Sequence, residues 1–241
     1  MAGRIDGPLG VGANSETIDK GTSPRIGMPL PGTVGGEPLQ QKINLSIDDN
    51  TRVLAATAYG ESSVNNVFEE IAAIANVLVR QQKARGYSSI GAFIKADKTF
   101  AFAAHDGNPR YKQLMDADEA KIKKDIGMEA ALRSAINALS VNPKDYSSGA
   151  FFWDGADIKT NYDHHIKVRG GIRFTDAAHN IYAIENKDVP GEVWWKDAKG
   201  NKTKLRGKWD YKFESTAAYG GTIFWKYNAD FLKASANKEY D

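Results

Sequence analysis

The chain has no cysteine. That absence removes disulfides, thiolate zinc sites and every mechanism with a cysteine nucleophile, so cysteine-type peptidases and amidases are excluded. It leaves oxidising and reducing compartments equally open. An excess of charge of either sign is also missing: 32 Lys and Arg stand against 30 Asp and Glu in 241 residues. No overall basic field therefore argues for nucleic acid or an anionic membrane surface. Apolar runs of about 18 residues, as a membrane span needs, are absent as well. The opening "MAGRIDGPLGVGANSETIDKG" lacks the apolar core of a secretory signal. The expectation is a protein made in the cytoplasm without a signal peptide, secreted by machinery other than the general secretory route and acting in the periplasm of a target cell.

What is present suits a folded protein: 41% hydrophobic and 10% aromatic residues, in a length fit for one sizeable domain or two small ones. Residues 1–45 are dense in Gly, Pro, Ser and Thr, with little apolar periodicity, and read as an extended or disordered arm. A helical period follows in residues 46–155. Val67, Ile71, Ile74 and Leu78 share one face, as do Met128, Leu132, Ala135 and Leu139. Ser62, Ser63, Asn65 and Asn66 are candidate N-caps. Gly86, "HDGNPR" and "VNPKDYSSG" mark turns. Residues 156–241 change to short aromatic and β-branched runs, "HIKVRGGIRF", "HNIYAI", "EVWWK", "KLRGKWDYKF" and "GGTIFWKY", with "DAKGNK" as a hairpin turn. The fold class predicted is α+β, a helical domain with a small C-terminal antiparallel β-sheet. Trp194, Trp195, Trp209, Tyr211, Tyr219, Phe224 and Trp225 are expected to form that sheet's core and cross-strand pairs.

One acid stands out. "AYGESS", residues 58–63, places Glu61 between an Ala-rich apolar run and the next helix. A carboxylate just before a helix is commonly a cap. In an apolar setting beside Tyr59, however, it would be desolvated and protonated near neutral pH, as a general acid for glycoside hydrolysis requires.

The stretch "AYGESSVNNVFEEIAAIANVLVR" resembles the opening motif of the SleB-type cell-wall hydrolases, in which an aromatic residue and a small one precede the catalytic Glu and a helix follows. "FAFAAHDGNPRY" is similar to the family's Phe-Ser segment, and "ALRSAINALSVNPKDYSSGAFFW" to its final motif. The three span roughly Thr51 to Trp153 in the family's order. Departures are "SVN" where the family has "RGE", and Val79 where it has the Asn of "LNR". The "ES" after an apolar helix also resembles the soluble lytic transglycosylases, which share a lysozyme-like fold. The resemblance implies a lysozyme-like helical catalytic domain that cleaves peptidoglycan between N-acetylmuramic acid and N-acetylglucosamine, with Glu61 as the acid and no cofactor.

A muramidase needs a second carboxylate, whereas a lytic transglycosylase can work with one Glu acting first as acid and then as base. Asp106, Asp154 and Asp157 are the candidates, and Asp154, inside "GAFFWDGAD", is chosen because sugar rings stack on aromatic faces beside a carboxylate. Tyr59, Ser62, His105, Asp106, Tyr111, Phe152 and Trp153 are the expected substrate-binding residues. No HExxH or comparable metal spacing is present, and no metal is expected. The alternatives are a zinc-dependent amidase using His105, His164, His165, His179 and Asp163, and a non-enzymatic wall-binding protein in which Glu61 is only a cap. An antibacterial effector delivered by a type VI system would imply a secretion carrier and a cognate immunity protein.

Overall fold

A computed structural model describes residues 47–98 and 100–241; the arm expected at 1–45 lies outside them. Helix α1, Asp49–Glu61, begins where the Asp48 carboxylate turns back to accept the Thr51 N–H at 3.0 Å. Its Ala-rich sequence is buried on nearly every side, with Leu54, Ala55, Ala56 and Ala58 fully enclosed, as suits a central helix. Around it pack α2 (Phe68–Ala84), α3 (Ile90–Ala96), α4 (Pro109–Asp116) and α6 (Ile126–Leu139), with α5 (Glu119–Lys124) leading into α6. Ile71, Ile74 and Leu78 of α2, and Met128 and Ala135 of α6, point inward as their spacing implies. None of the four expected caps serves α2, which starts after Val67 with no side-chain cap. Ser62 instead ends α1, and Asn66, in the left-handed region at φ 54°, accepts from the Arg110 guanidinium.

The β part departs from the expected single antiparallel sheet. A four-stranded sheet has the order β1 (Phe152–Asp154), β6 (Thr222–Tyr227), β5 (Phe213–Tyr219), β2 (Ile172–Arg173), and the β2–β5 pair is parallel. A separate antiparallel ribbon joins β3 (Gly191–Lys196) to β4 (Lys202–Trp209). Its turn is "DAKGN", where the Asp197 carboxylate gathers the N–H groups of Lys199 and Asn201 and Gly200 takes φ 84°. Two expected strands are mostly something else. "HIKVRGG" winds into α8 (Ile166–Gly170) after the short α7 (Asp157–Thr160), leaving two strand residues. "HNIYAI" is a loop closed by Asn180, whose amide both donates to and accepts from the Ile184 backbone.

β6 is buried along Thr222–Trp225 because both of its faces are covered. Phe224 packs with α1 and α2 in the helical core. Its neighbours Ile223 and Trp225 point the other way, into a second cluster with Ile158, Val168, Ile172 and Phe213. β1 lies on the edge of this sheet, with Phe152 against the second cluster and Trp153 against the first. The C-terminal α9 (Ala229–Ser235) rests on the base of the ribbon, where Gly207 and Trp209 meet Ala234 and Phe231. Among the described residues no helix is long and apolar enough to cross a membrane.

Candidate active site

Glu61 is the last residue of α1, and α2 begins only at Phe68. It therefore caps no following helix. At the C-terminal end of its own helix the macrodipole opposes a negative charge rather than supporting it. Its carboxylate accepts the Ala103 N–H at 2.6 Å from a single 3₁₀ turn, Phe102–Ala104. Burial pushes the Glu61 carboxyl above the ordinary value; the Ala103 N–H works against that rise, Asp106 adds to it, and Phe102 N–H opposes it.

The approach of that turn depends on Gly60. A Cβ there would stand 2.7 Å from the Ala103 Cβ and 3.3 Å from both Asn108 Oδ1 and Tyr111 Cβ. Gly60→Ala gains helix propensity, but at the helix end that gain is small, and displacing packed backbone costs more. A net loss of about 1–3 kcal/mol is expected. Chemical denaturation reads it out, together with a fall in any activity that needs Ala103 held against Glu61.

Across from Glu61 runs β1. A cleft of about 310 Å³ has Glu61 on one side and Phe152, Trp153 and Asp154 on another, with Phe100, Phe102 and Lys167 completing its wall. Phe100 and Trp153 meet edge to face at 5.1 Å. Phe102 leaves 62% of its surface exposed at the mouth. Sequence reasoning missed Phe100 and Phe102; their alternation in "FAFAA" was the available signal.

Asp154 is about nine-tenths buried and ion-paired to Lys167 Nζ at 2.9 Å through Oδ1. Its other oxygen, Oδ2, is buried with no hydrogen-bond partner. Lys167 lies 5.6 Å and 5.8 Å from the Phe152 and Phe213 rings, which surround its charge with aromatic faces. His165 accepts the Lys167 N–H through Nδ1 and approaches Asp154 Oδ1 at 3.3 Å and Asp157 Oδ2 at 3.4 Å through Nε2. With Nδ1 as acceptor, a neutral ring carries its proton on Nε2 and aims it at the two carboxylates. Of the expected second acids, Asp154 reaches the cleft. Asp157 is largely exposed behind it, and Asp106 accepts the Asn108 N–H in the exposed loop before α4.

The other expected binding residues are placed around the cleft rather than in its wall. Tyr59 is buried under the Arg110 guanidinium, 3.9 Å above its ring. Ser62 is buried and donates to the Tyr59 carbonyl. His105 Nε2 is tied to the Ile94 carbonyl at 2.8 Å, and Tyr111 packs against the helical core. These four, like Asp106, hold the loops around Glu61 but do not line the cleft. Nor do the histidines converge: His179 bonds to Ser215 at 2.9 Å. Among the described residues, the group able to hold a metal ion is Asp154, Asp157 and His165. That set has one imidazole, and the Lys167 ammonium is already in contact with one of its carboxylates.

Sequence reasoning also missed Glu70, fully buried at the start of α2. It accepts from the Ser63 N–H and hydroxyl, the Gly221 N–H and the Thr222 hydroxyl at 2.6–3.1 Å. Ser63 follows Glu61 by two residues, and Ile223, the neighbour of Thr222, pairs with Asp154. Glu70 thus ties the two sides of the cleft together. The signal was its position on the apolar face, four residues before Ile74 and seven before Val77, where an acid is out of place.

No protein-family model, no curated protein and no solved structure matches this chain.

Proposed function

We propose that the cleft cuts the glycan strand of peptidoglycan between N-acetylmuramic acid and N-acetylglucosamine, with Glu61 as general acid and Asp154 as the second carboxylate. The observation that carries this reading is a pair of acids in unlike settings on one aromatic-walled groove. Glu61 is desolvated with no cation paired to it among the described residues, and Asp154 is ion-paired to Lys167 with Oδ2 left over. Two carboxyl groups made different by their surroundings are what glycoside cleavage uses. The resemblance of residues 51–153 to SleB-type hydrolases supports the same reading, and a lysozyme-like helical domain is part of it.

In this mechanism the Glu61 carboxyl gives its proton to the glycosidic oxygen as the C–O bond breaks. The sugar carbon, then oxocarbenium-like, is met by water, whose proton passes to Asp154 or back to Glu61; if Asp154 bonds the carbon first, water then breaks that glycosyl ester with Glu61 as its base, releasing the sugar and restoring the Asp154 carboxylate. If the muramic acid 6-hydroxyl attacks instead, Glu61 takes that proton and the product is a 1,6-anhydro sugar. Phe102, Phe152 and Trp153 offer faces for the sugar rings. Lys167 holds Asp154 in place.

Delivery as an antibacterial effector into a competitor's periplasm, with a carrier and a protective immunity protein that plugs the cleft, belongs to the same proposal. A pull-down from the producing cell is expected to recover a specific small partner, and recovering none counts against the immunity protein. Digestion of purified peptidoglycan, with fragment ends read by mass spectrometry, tests the reaction. Reducing ends lost in Asp154→Asn indicate a hydrolase, and 1,6-anhydro ends retained in that variant indicate a transglycosylase. Free stem peptides, sensitive to chelator, would contradict both and indicate the zinc amidase.

A further inference from the structure

Near-neutral overall charge conceals a local concentration. Between Gly191 and Trp209 the β3–β4 ribbon carries Lys196, Lys199, Lys202, Lys204, Arg206 and Lys208 against only Glu192 and Asp197. The base of the ribbon is covered by α9, at Gly207 and Trp209. Beyond that every residue from Trp195 to Leu205 is exposed, and among the described residues the outer half stands free with four lysines around its turn. The one acid of that half, Asp197, is occupied by the turn's own N–H groups.

Two large apolar side chains stand among these cations, one on each face of the ribbon, since Leu205 pairs with Trp194 and Trp195 is the next residue. Trp195 is 56% exposed and Leu205 39%, and Trp194, expected in a sheet core, is only half-buried, with Lys202 Nζ 5.3 Å from its ring. Lysines alone would be explained as protection of the ribbon's open edges against pairing with other chains. An exposed indole and an exposed Leu do the opposite, because they offer contact area. Indole rings favour the boundary between water and lipid, clustered lysines favour anionic headgroups, and an aliphatic side chain gains from acyl chains but not from stacking on a base. The ribbon's lysines gather around a hairpin turn rather than along a groove that could track a nucleic-acid strand.

We propose that the outer half of the β3–β4 ribbon docks onto an anionic phospholipid bilayer, its lysines meeting lipid phosphates while Trp195 enters the headgroup boundary. This inference does not depend on the glycosidase reading. It assigns a peripheral contact, not a span.

The test is co-sedimentation of the full chain with vesicles of phosphatidylglycerol and phosphatidylcholine in equal parts, beside vesicles of phosphatidylcholine alone. Binding is expected to the first and not the second, to weaken with salt, and to fall about thirtyfold in Lys199→Gln/Lys202→Gln, since each lysine near an anionic surface contributes about fivefold. Lys199→Arg/Lys202→Arg should bind as the native chain does, and Trp195→Ala should weaken binding without abolishing its salt dependence. Equal binding to both vesicle types, or full binding by the Gln variant, would overturn the proposal. So would lysine-dependent binding to a single-stranded oligonucleotide without vesicle binding, which would reassign the ribbon to nucleic acid.

Discussion

On the proposed reaction, Glu61→Gln is expected to lower glycan cleavage by at least about two orders of magnitude, the scale of a lost general acid. The replacement is nearly isosteric, and its amide oxygen can still accept the Ala103 N–H that Glu61 now accepts at 2.6 Å. The cleft should keep its shape and lose its proton donor. Stability has its own pH signature. The folded Glu61 carboxyl is raised above 4.5, chiefly by burial. It therefore contributes stability that is full below that value and is lost as pH rises through the raised folded value. The amide of Glu61→Gln does not titrate and carries no such loss, so the variant gains stability relative to the native chain as pH increases across that window. Denaturant melts of both proteins at about pH 4 and about pH 8 measure this difference. Activity should follow the same titration, falling at high pH as Glu61 gives up its proton before the substrate arrives.

Glu70→Ala carries the largest expected loss of stability, at least about 3 kcal/mol. Four donors converge on that fully buried carboxylate, two from Ser63 and one each from Gly221 and Thr222. Removing it strands the buried Thr222 hydroxyl and leaves the part-buried Ser63 and Gly221 donors without their acceptor. Gly220 shows how closely the site is built: a Cβ there would lie 2.2 Å from Glu70 Oε2, on backbone already at φ 57°. The loss should be structural and local to the cleft. Because Glu70 joins the Ser63 loop to the strand paired with Asp154, a partly folded variant is expected to lose cleavage as well. Urea titration gives the stability change. Glu70→Gln, which keeps one acceptor oxygen but introduces donors facing donors, should fall between Ala and the native residue.

The helical half was legible in the sequence because its period is regular. Ile71, Ile74 and Leu78, and Met128, Leu132 and Ala135, repeat every three or four residues and face inward. Glu61 was legible for a different reason, as a charge where apolar residues predominate. The same logic applied to Glu70 would have found it, but a second acid in the first turn of a helix reads as ordinary dipole complementation. Around Glu61 proximity in sequence is not exposure: Tyr59 and Ser62 are covered by Arg110 and by their own helix end.

Strand content was less legible. In "HIKVRGGIRF" β-branched residues suggested a strand, yet only Ile172 and Arg173 pair, in parallel with Phe213 and Glu214. That partner lies far along the chain, and local propensity carries no trace of it. The aromatic run of the C-terminal part divides in the same way. Phe224 and Trp225 are enclosed by cores on both faces of β6, whereas Trp195 belongs to a ribbon with no second layer over its outer half. His165 and Lys167 were invisible as site residues because their importance comes from Asp154, thirteen residues before Lys167, on another element.

Protonation of a glycosidic oxygen in peptidoglycan by Glu61 is the step on which the proposed function stands. Purified peptidoglycan should be incubated with the native chain and, separately, with Glu61→Gln of matched folded content, and the released fragments identified by mass spectrometry. Disaccharide-peptides are expected from the native protein and essentially none from the variant. Equal release by both proteins would remove Glu61 from the chemistry, and no release by either would leave the cleft without the proposed reaction.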